Sequence, residues 1–300
     1  MKRTDIVIIG AGIAGLTAAI YLKRANANFI ILEGDKVGGL LNKLNAIENY
    51  PSYPNISGKE LVEKLVKQTS HLGIEITHGN VQSILKEQDG FEVKSDVDIY
   101  RCKSVIVATG ISMPKEAIVG EKKFAGLGVS YCATCDGNFF KNQDVAVVGN
   151  NDIALEESLY LANLVRHLYL FNPEEKLVGD QKAINALLTH TNVELINSSN
   201  VQSINGDDFG VTSITVNDKE YPVMGVFPYV GKKSTSQVLN NLKPDMNGIY
   251  LKVDSKNETN IEGLFAAGDI IDKKLRQLVT ASSDGAIAAT AAFQYVKQRG

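Results

Sequence analysis

Cys132-Ala133-Thr134-Cys135-Asp136 is the stretch whose residue types and spacing could carry out chemistry. Two cysteines separated by two residues can close into a small disulfide and reopen. Such a pair trades two electrons with another dithiol through a mixed disulfide. Cys-x-x-Cys geometry commonly lowers a thiol pKa, which supplies the nucleophilic thiolate. Asp136 follows at once, placed to hand a proton to a departing thiolate. A zinc site is disfavoured, because Cys102 is the one remaining cysteine and His71, His78, His167 and His190 lack ligand spacing. Cys102 reads as a small buried hydrophobe.

A second chemistry lies in Gly10-Ala11-Gly12-Ile13-Ala14-Gly15. Ile6-Val7-Ile8-Ile9 precedes it as a buried parallel strand would. A helical pattern through Leu16, Ala19, Ile20 and Leu22 follows, then the strand Phe29-Ile30-Ile31-Leu32 ending at Glu33. This is a complete βαβ dinucleotide fingerprint. Gly10 makes the tight turn, Gly12 lets backbone approach a pyrophosphate, and Gly15 lets helix and strand pack closely. The helix N-terminus meets the phosphate charge, and Glu33 can accept from ribose hydroxyls.

The frame recurs in damaged form. Asp144-Val145-Ala146-Val147-Val148 enters Gly149-Asn150-Asn151-Asp152, then a helix with Leu155, Leu159 and Leu161. Asn151 stands where the second glycine should be. Its side chain is expected to narrow the phosphate approach and to make an αL-type turn costlier than glycine would. The next strand, Leu168-Tyr169-Leu170-Phe171, leads into Asn172-Pro173-Glu174-Glu175-Lys176, whose acids would repel a phosphate.

These motifs need elements to position them, and 300 residues allow one large or two ordinary domains. A helix is expected over 58–72 with Leu61, Leu65, Val66 and Leu72 inward. Short strands follow up to Ser104-Val105-Ile106-Val107, which enters Ala108-Thr109-Gly110. Met113-Pro114-Lys115-Glu116 reads as a first crossover and Lys243-Pro244-Asp245-Met246 as a second. Between them, 193–230 alternates short strands with turns expected at Asn205-Gly206 and Asn217-Asp218. The last segment is a strand ending in Gly268-Asp269, then a small-residue helix over 280–292. The fold class expected is α/β, with two Rossmann-like three-layer domains. Residues 1–113 and 246–300 form one, and 114–245 form a smaller insert carrying the cysteine pair.

A net charge of -3 is too small to suggest nucleic-acid binding. An odd, low cysteine count argues for a reducing compartment. Lys2 and Arg3 before an apolar run, with Ala25-Asn26-Ala27 after it, resemble a secretion signal. Asp5, Lys23-Arg24 and the spaced glycines argue against that, so a cytoplasmic protein is expected. No apolar run is long enough to span a bilayer.

The fingerprint, the Gly38-Gly39-Leu40-Leu41-Asn42 turn, Glu48-Asn49-Tyr50-Pro51 and the Cys-x-x-Cys-Asp motif together resemble the low-molecular-weight thioredoxin reductases. The resemblance runs over essentially the whole chain and implies bound FAD. It places Gly38, Gly39 and Asn49 along the cofactor, with Ala108-Thr109-Gly110 in contact and Asp269 bonding the ribityl chain. Ala14, Leu40, Val81, Arg276, Gln277 and Leu278 join the implied cofactor set. The helix beginning there would face the flavin with its positive end. The same resemblance gives Cys135 the position facing the flavin ring, Cys132 the attack on a partner disulfide, and Asp136 the proton. It also implies a homodimer. NADPH-dependent members carry an arginine pair in the 172–176 turn, and this sequence does not. The sequence is therefore most similar to the ferredoxin-dependent flavin thioredoxin reductases. Thioredoxin and ferredoxin are the partners implied, and NADPH is not expected to bind well. Lys122-Lys123, Lys232-Lys233 and Lys273-Lys274-Arg276 could dock an acidic ferredoxin. An NAD(P)H-dependent reductase with a remodelled pocket and a non-catalytic flavin-binding regulator are the alternatives. The intact cysteine motif disfavours the second.

Overall fold

Ile6–Ile9 is buried at every residue, which only an interior strand with both faces covered allows. The computed structural model describes residues 1–112, 118–230, 233–234 and 236–299. The chain forms two compact units, Met1–Ser112 with Lys233–Gly300, and Met113–Lys232.

In the first unit five parallel strands lie in the order Leu264–Ala266, Ser104–Val107, Ile6–Ile9, Phe29–Glu33, Ile76–His78. Period-two alternation divides their side chains between two cores. Ile6, Ile8, Ile31 and Ile106 face the helices Ile13–Arg24, Gly58–His71 and Leu278–Lys297. Val7, Ile9, Val105 and Val107 face the antiparallel strands Val81–Glu87, Gly90–Ser95 and Ile99–Cys102. Helix, sheet, sheet is the three-layer arrangement expected. The first and last helices cross at Gly285, where a Cβ would come within 2.1 Å of the Ala14 carbonyl oxygen.

The second unit repeats the plan. Its parallel sheet runs Val193–Ile196, His167–Phe171, Asp144–Val148, Gly225–Pro228. Val145 and Val147 pack with the side chains of the helices Asp152–Ala162 and Gln181–Leu188. Ala146 and Val148 pack with the antiparallel strands Val201–Gly206, Val211–Val216 and Lys219–Pro222.

Several expectations shift. The return to the first unit comes at Lys233 rather than at 246. Lys233–Ser234 pairs with Ile111–Ser112, and Leu239 is buried in the first unit's second core. The Lys243-Pro244-Asp245 turn is thus internal to that unit, with Lys243 at φ 50°. The crossover expected at Met113-Pro114-Lys115-Glu116 lies outside the described residues. Asn205-Gly206 belongs to a strand and the turn comes after it, since Gly206 pairs with Val211 and Asn205 bonds Ser213 and Thr215 across the ladder. Asn217 and Asp218 do form a turn, at φ 49° and 61°, as a two-residue hairpin requires. The last helix runs longer than 280–292, because Val296 still buries an apolar face. Cys102 is buried, and burial pushes its thiol up to about 12. Among the described residues no helix is long and apolar enough to cross a membrane.

Candidate active site

Ala11, which the fingerprint pattern leaves unassigned, is the hub of the first nucleotide turn. Its amide donates to Glu33 Oε2 at 2.7 Å, and its carbonyl accepts from the Gly38 amide at 2.8 Å. The fingerprint turn, the acid ending the second strand and the Gly-Gly turn therefore meet at one residue. Gly10 sits at φ 102°, and a Cβ there would lie 2.5 Å from the Ala108 carbonyl oxygen. Ala108 to Gly110 is thereby packed against the turn. A Cβ on Gly12, Gly39 or Gly110 would meet nothing within 4 Å. Open space thus borders the N-terminus of the helix Ile13–Arg24 and the two loops beside it.

Residues far apart in sequence converge elsewhere in this unit. Asn49 Nδ2 donates to Gln277 Oε1 at 2.9 Å. Gln277 caps the last helix, its amide donating to Thr280 Oγ1 at 3.1 Å. Leu278 is that helix's first residue and is half-buried. Asp269 Oδ1 is buried and has no hydrogen-bond partner. Lys273 Nζ lies 3.6 Å away, beyond hydrogen-bond reach. Burial pushes the Asp269 carboxyl above its ordinary value, against the pull of Lys273 and Arg276. The Arg276 guanidinium stacks on Tyr250, 3.6 Å from the ring centre. Ala14 and Val81 are buried packing residues, while Leu40 is exposed in the turn Gly39–Lys43.

In the second unit Cys132 and Cys135 form a disulfide, with Cα atoms 5.3 Å apart. The sequence folds this way locally because Cys132 caps the short helix Ala133–Asp136, its Sγ accepting from the Cys135 amide at 3.2 Å. Cys132 is half-buried and Cys135 exposed. Ser130, which sequence reasoning missed, ties the motif's ends together. Its hydroxyl donates to Asp136 Oδ2 at 2.6 Å and accepts from the Cys132 amide at 3.2 Å. A carboxylate acceptor and a reducible S–S bond therefore share one turn.

The turn after Asp144–Val148 is bonded by its own side chains. Asn151 caps the helix Asp152–Ala162, its Oδ1 accepting from the Ala154 amide at 2.9 Å, and its Nδ2 donates to the Tyr229 carbonyl at 2.8 Å. Asn150 bonds the Lys176 carbonyl at 3.2 Å and the Val178 amide at 2.6 Å. Asn172 is buried and bonds Asn197 at 2.8 Å, and Glu174 and Glu175 are exposed beside it. The expected αL strain at Asn151 is absent. Its φ is -157°, extended backbone that any residue adopts, because the side chain and not the backbone closes the helix end.

The basic clusters separate. Lys122 and Lys123 are exposed. Lys232 lies outside the described residues. Lys273 points inward, 2.6 Å from Asp284, with 13% of its side chain exposed, so it leaves the docking set.

The sequence pattern of the pyridine nucleotide-disulphide oxidoreductase family matches residues 4–285. The thioredoxin reductase of Bacillus subtilis (strain 168) is 35% identical over 303 aligned positions, covering 99% of this chain and 96% of that protein. Among solved structures, the thioredoxin reductase from Streptococcus pyogenes MGAS5005 superposes with a TM-score of 0.88 at 34% identity, covering 99% of both chains. A ferredoxin-flavin thioredoxin reductase from Clostridium acetobutylicum gives 0.57 at 33% identity, covering 100% of this chain and 99% of that one.

Proposed function

The chain belongs to the pyridine nucleotide-disulphide oxidoreductase family, among its thioredoxin reductases, and on that premise we propose a ferredoxin-dependent reductase that passes electrons through FAD and the Cys132–Cys135 pair to thioredoxin. The observation that carries the choice of donor is Asn151. Its side chain satisfies the helix amide that a pyrophosphate would otherwise meet. Glu174 and Glu175 supply repulsion where a 2′-phosphate would need arginine.

FAD as the resident cofactor is supported by the fit of the first unit. Open space adjoins Gly12 at a helix N-terminus, and Asp269 offers a buried oxygen lacking a donor. Gly10, Gly12, Glu33, Gly38, Gly39, Asn49, Thr109, Gly110, Asp269 and Gln277 would hold it. When bound, FAD links one-electron donors to two-electron disulfide chemistry.

The chain's own residues do the rest. Two electrons and two protons open the Cys132–Cys135 disulfide. The Cys132 thiolate attacks the partner disulfide, forming a mixed disulfide as one partner sulfur departs. Asp136, oriented by Ser130, takes the proton that the Cys132 thiol gives up and delivers it to that sulfur. Cys135 then attacks Cys132, re-forming the internal bridge and releasing the reduced partner. A ferredoxin at about −400 mV and a thioredoxin at about −270 mV give roughly 6 kcal/mol of driving force for two electrons.

Anaerobic mixing decides the donor. Reduced ferredoxin bleaches the flavin and supports thioredoxin reduction, whereas NADPH alone does neither. Rapid bleaching by NADPH would sink this donor and leave the remodelled-pocket reading standing.

A further inference from the structure

Glu157 lies on the helix Asp152–Ala162, which packs against the redox helix Ala133–Asp136. Its Oε2 accepts from the Ala133 amide at 2.5 Å and from the Tyr229 hydroxyl at 3.2 Å. The Ala133 amide is the first N–H of the redox helix, one residue from Cys132. Backbone amides beside a cysteine are among the groups that can stabilise its thiolate by hydrogen bonding. Here a carboxylate occupies one of them and brings negative charge to the turn.

We propose that Glu157 is a positioning residue that sets the reducing strength of the Cys132–Cys135 couple by holding the Ala133 amide and placing charge against the turn. Reduction breaks the S–S bond, and two electrons with two protons give two thiols. Loss of one proton then gives the Cys132 thiolate. Like charge opposes that anion alone, so the couple reduces its partner more strongly and Cys132 titrates higher than without Glu157. Other titratable groups surround the turn. Asp136 lies on the redox helix itself, Glu156 and Tyr160 on the helix packed against it, and Tyr229 on the segment after Gly225–Pro228. The adjoining turn Gly137–Phe140 carries none. Burial first, and then the Glu157 charge, hold the Tyr229 phenol well above its ordinary value, so it remains a donor.

The inference rests on the pair cycling, not on the electron donor, and dithiothreitol supplies electrons in the test. Glu157→Gln keeps an acceptor for both donors and removes the charge. In the intact protein, equilibrated against dithiothreitol buffers, the disulfide is then reduced at a roughly tenfold lower ratio of reduced to oxidised reagent. The pH profile of Cys132 alkylation moves downward. Glu194→Gln, an exposed carboxylate of the same unit on the strand Val193–Ile196, moves neither. Tyr229→Phe removes one donor to the carboxylate and moves the alkylation profile upward, which decides the matter if Glu157→Gln does not fold. Unchanged profiles in a folded Glu157→Gln, or in Tyr229→Phe where it alone folds, overturn the proposal. Failure of the ferredoxin reading would appear only with ferredoxin present and would leave these profiles untouched.

Discussion

Ser130 shows how much of the redox turn is set by single side chains, since one hydroxyl fixes both Asp136 and the Cys132 amide. Asp136→Asn is expected to slow thioredoxin reduction about a hundredfold, the usual worth of a placed general acid. Ser130→Ala should give a smaller loss in the same direction, read in the same steady-state assay. Cys132→Ser should abolish reduction while the visible flavin spectrum remains. At the other motif Gly38 is at φ 94°, and a Cβ would come within 2.3 Å of Val62 Cγ2. Gly38→Ala should therefore cost about 1–3 kcal/mol in urea denaturation. The pattern G-x-G-x-x-G was legible because Gly10 and Gly15 answer close backbone contacts of one turn while Gly12 leaves the helix end open. Ser130 and Glu157 were not, because their partners are set by packing and not by spacing.

The helix Asp152–Ala162 illustrates how one side chain can close the amide end of an element. Its amide end is closed by Asn151, so Asn151→Ala should destabilise the protein by about 1 kcal/mol, measured as a lowered denaturation midpoint. The strand Asp144–Val148 is tied at its start to Arg166, with both contacts at 2.7 Å. The Arg166 bond holds the Asp144 carboxyl below its ordinary value. A carboxyl lowered in the folded state contributes stability above its unfolded value, and that contribution fades as pH falls through the folded one. Arg166→Ala should thus be less stable than the parent near neutral pH and converge with it in acid. Sequence periodicity found these strands and helices, because burial on one or both faces imposes period two or 3.6. It misplaced the Asn205-Gly206 turn, since glycine there serves close packing. A Cβ on Gly206 would meet the Gly210 carbonyl oxygen at 2.1 Å.

Each of the two units has its own pair of cores, and each can be probed alone. Ile111–Ser112 pairs antiparallel with Lys233–Ser234, so a short glycine-rich hairpin could replace 113–232. That shortened protein should fold and take up FAD, seen in its visible spectrum, yet reduce no thioredoxin. By itself the sequence determined the two nucleotide-type frames, the order in which they occur and the cysteine pair, because each is a local pattern whose spacing is fixed by backbone geometry. Tertiary structure alone decided that the chain returns at Lys233, that Lys273 turns inward to Asp284, and that Glu157 reaches the Ala133 amide. Those outcomes depend on which distant side chains share one buried space, and such competition for burial and hydrogen bonds leaves no period or motif in the chain.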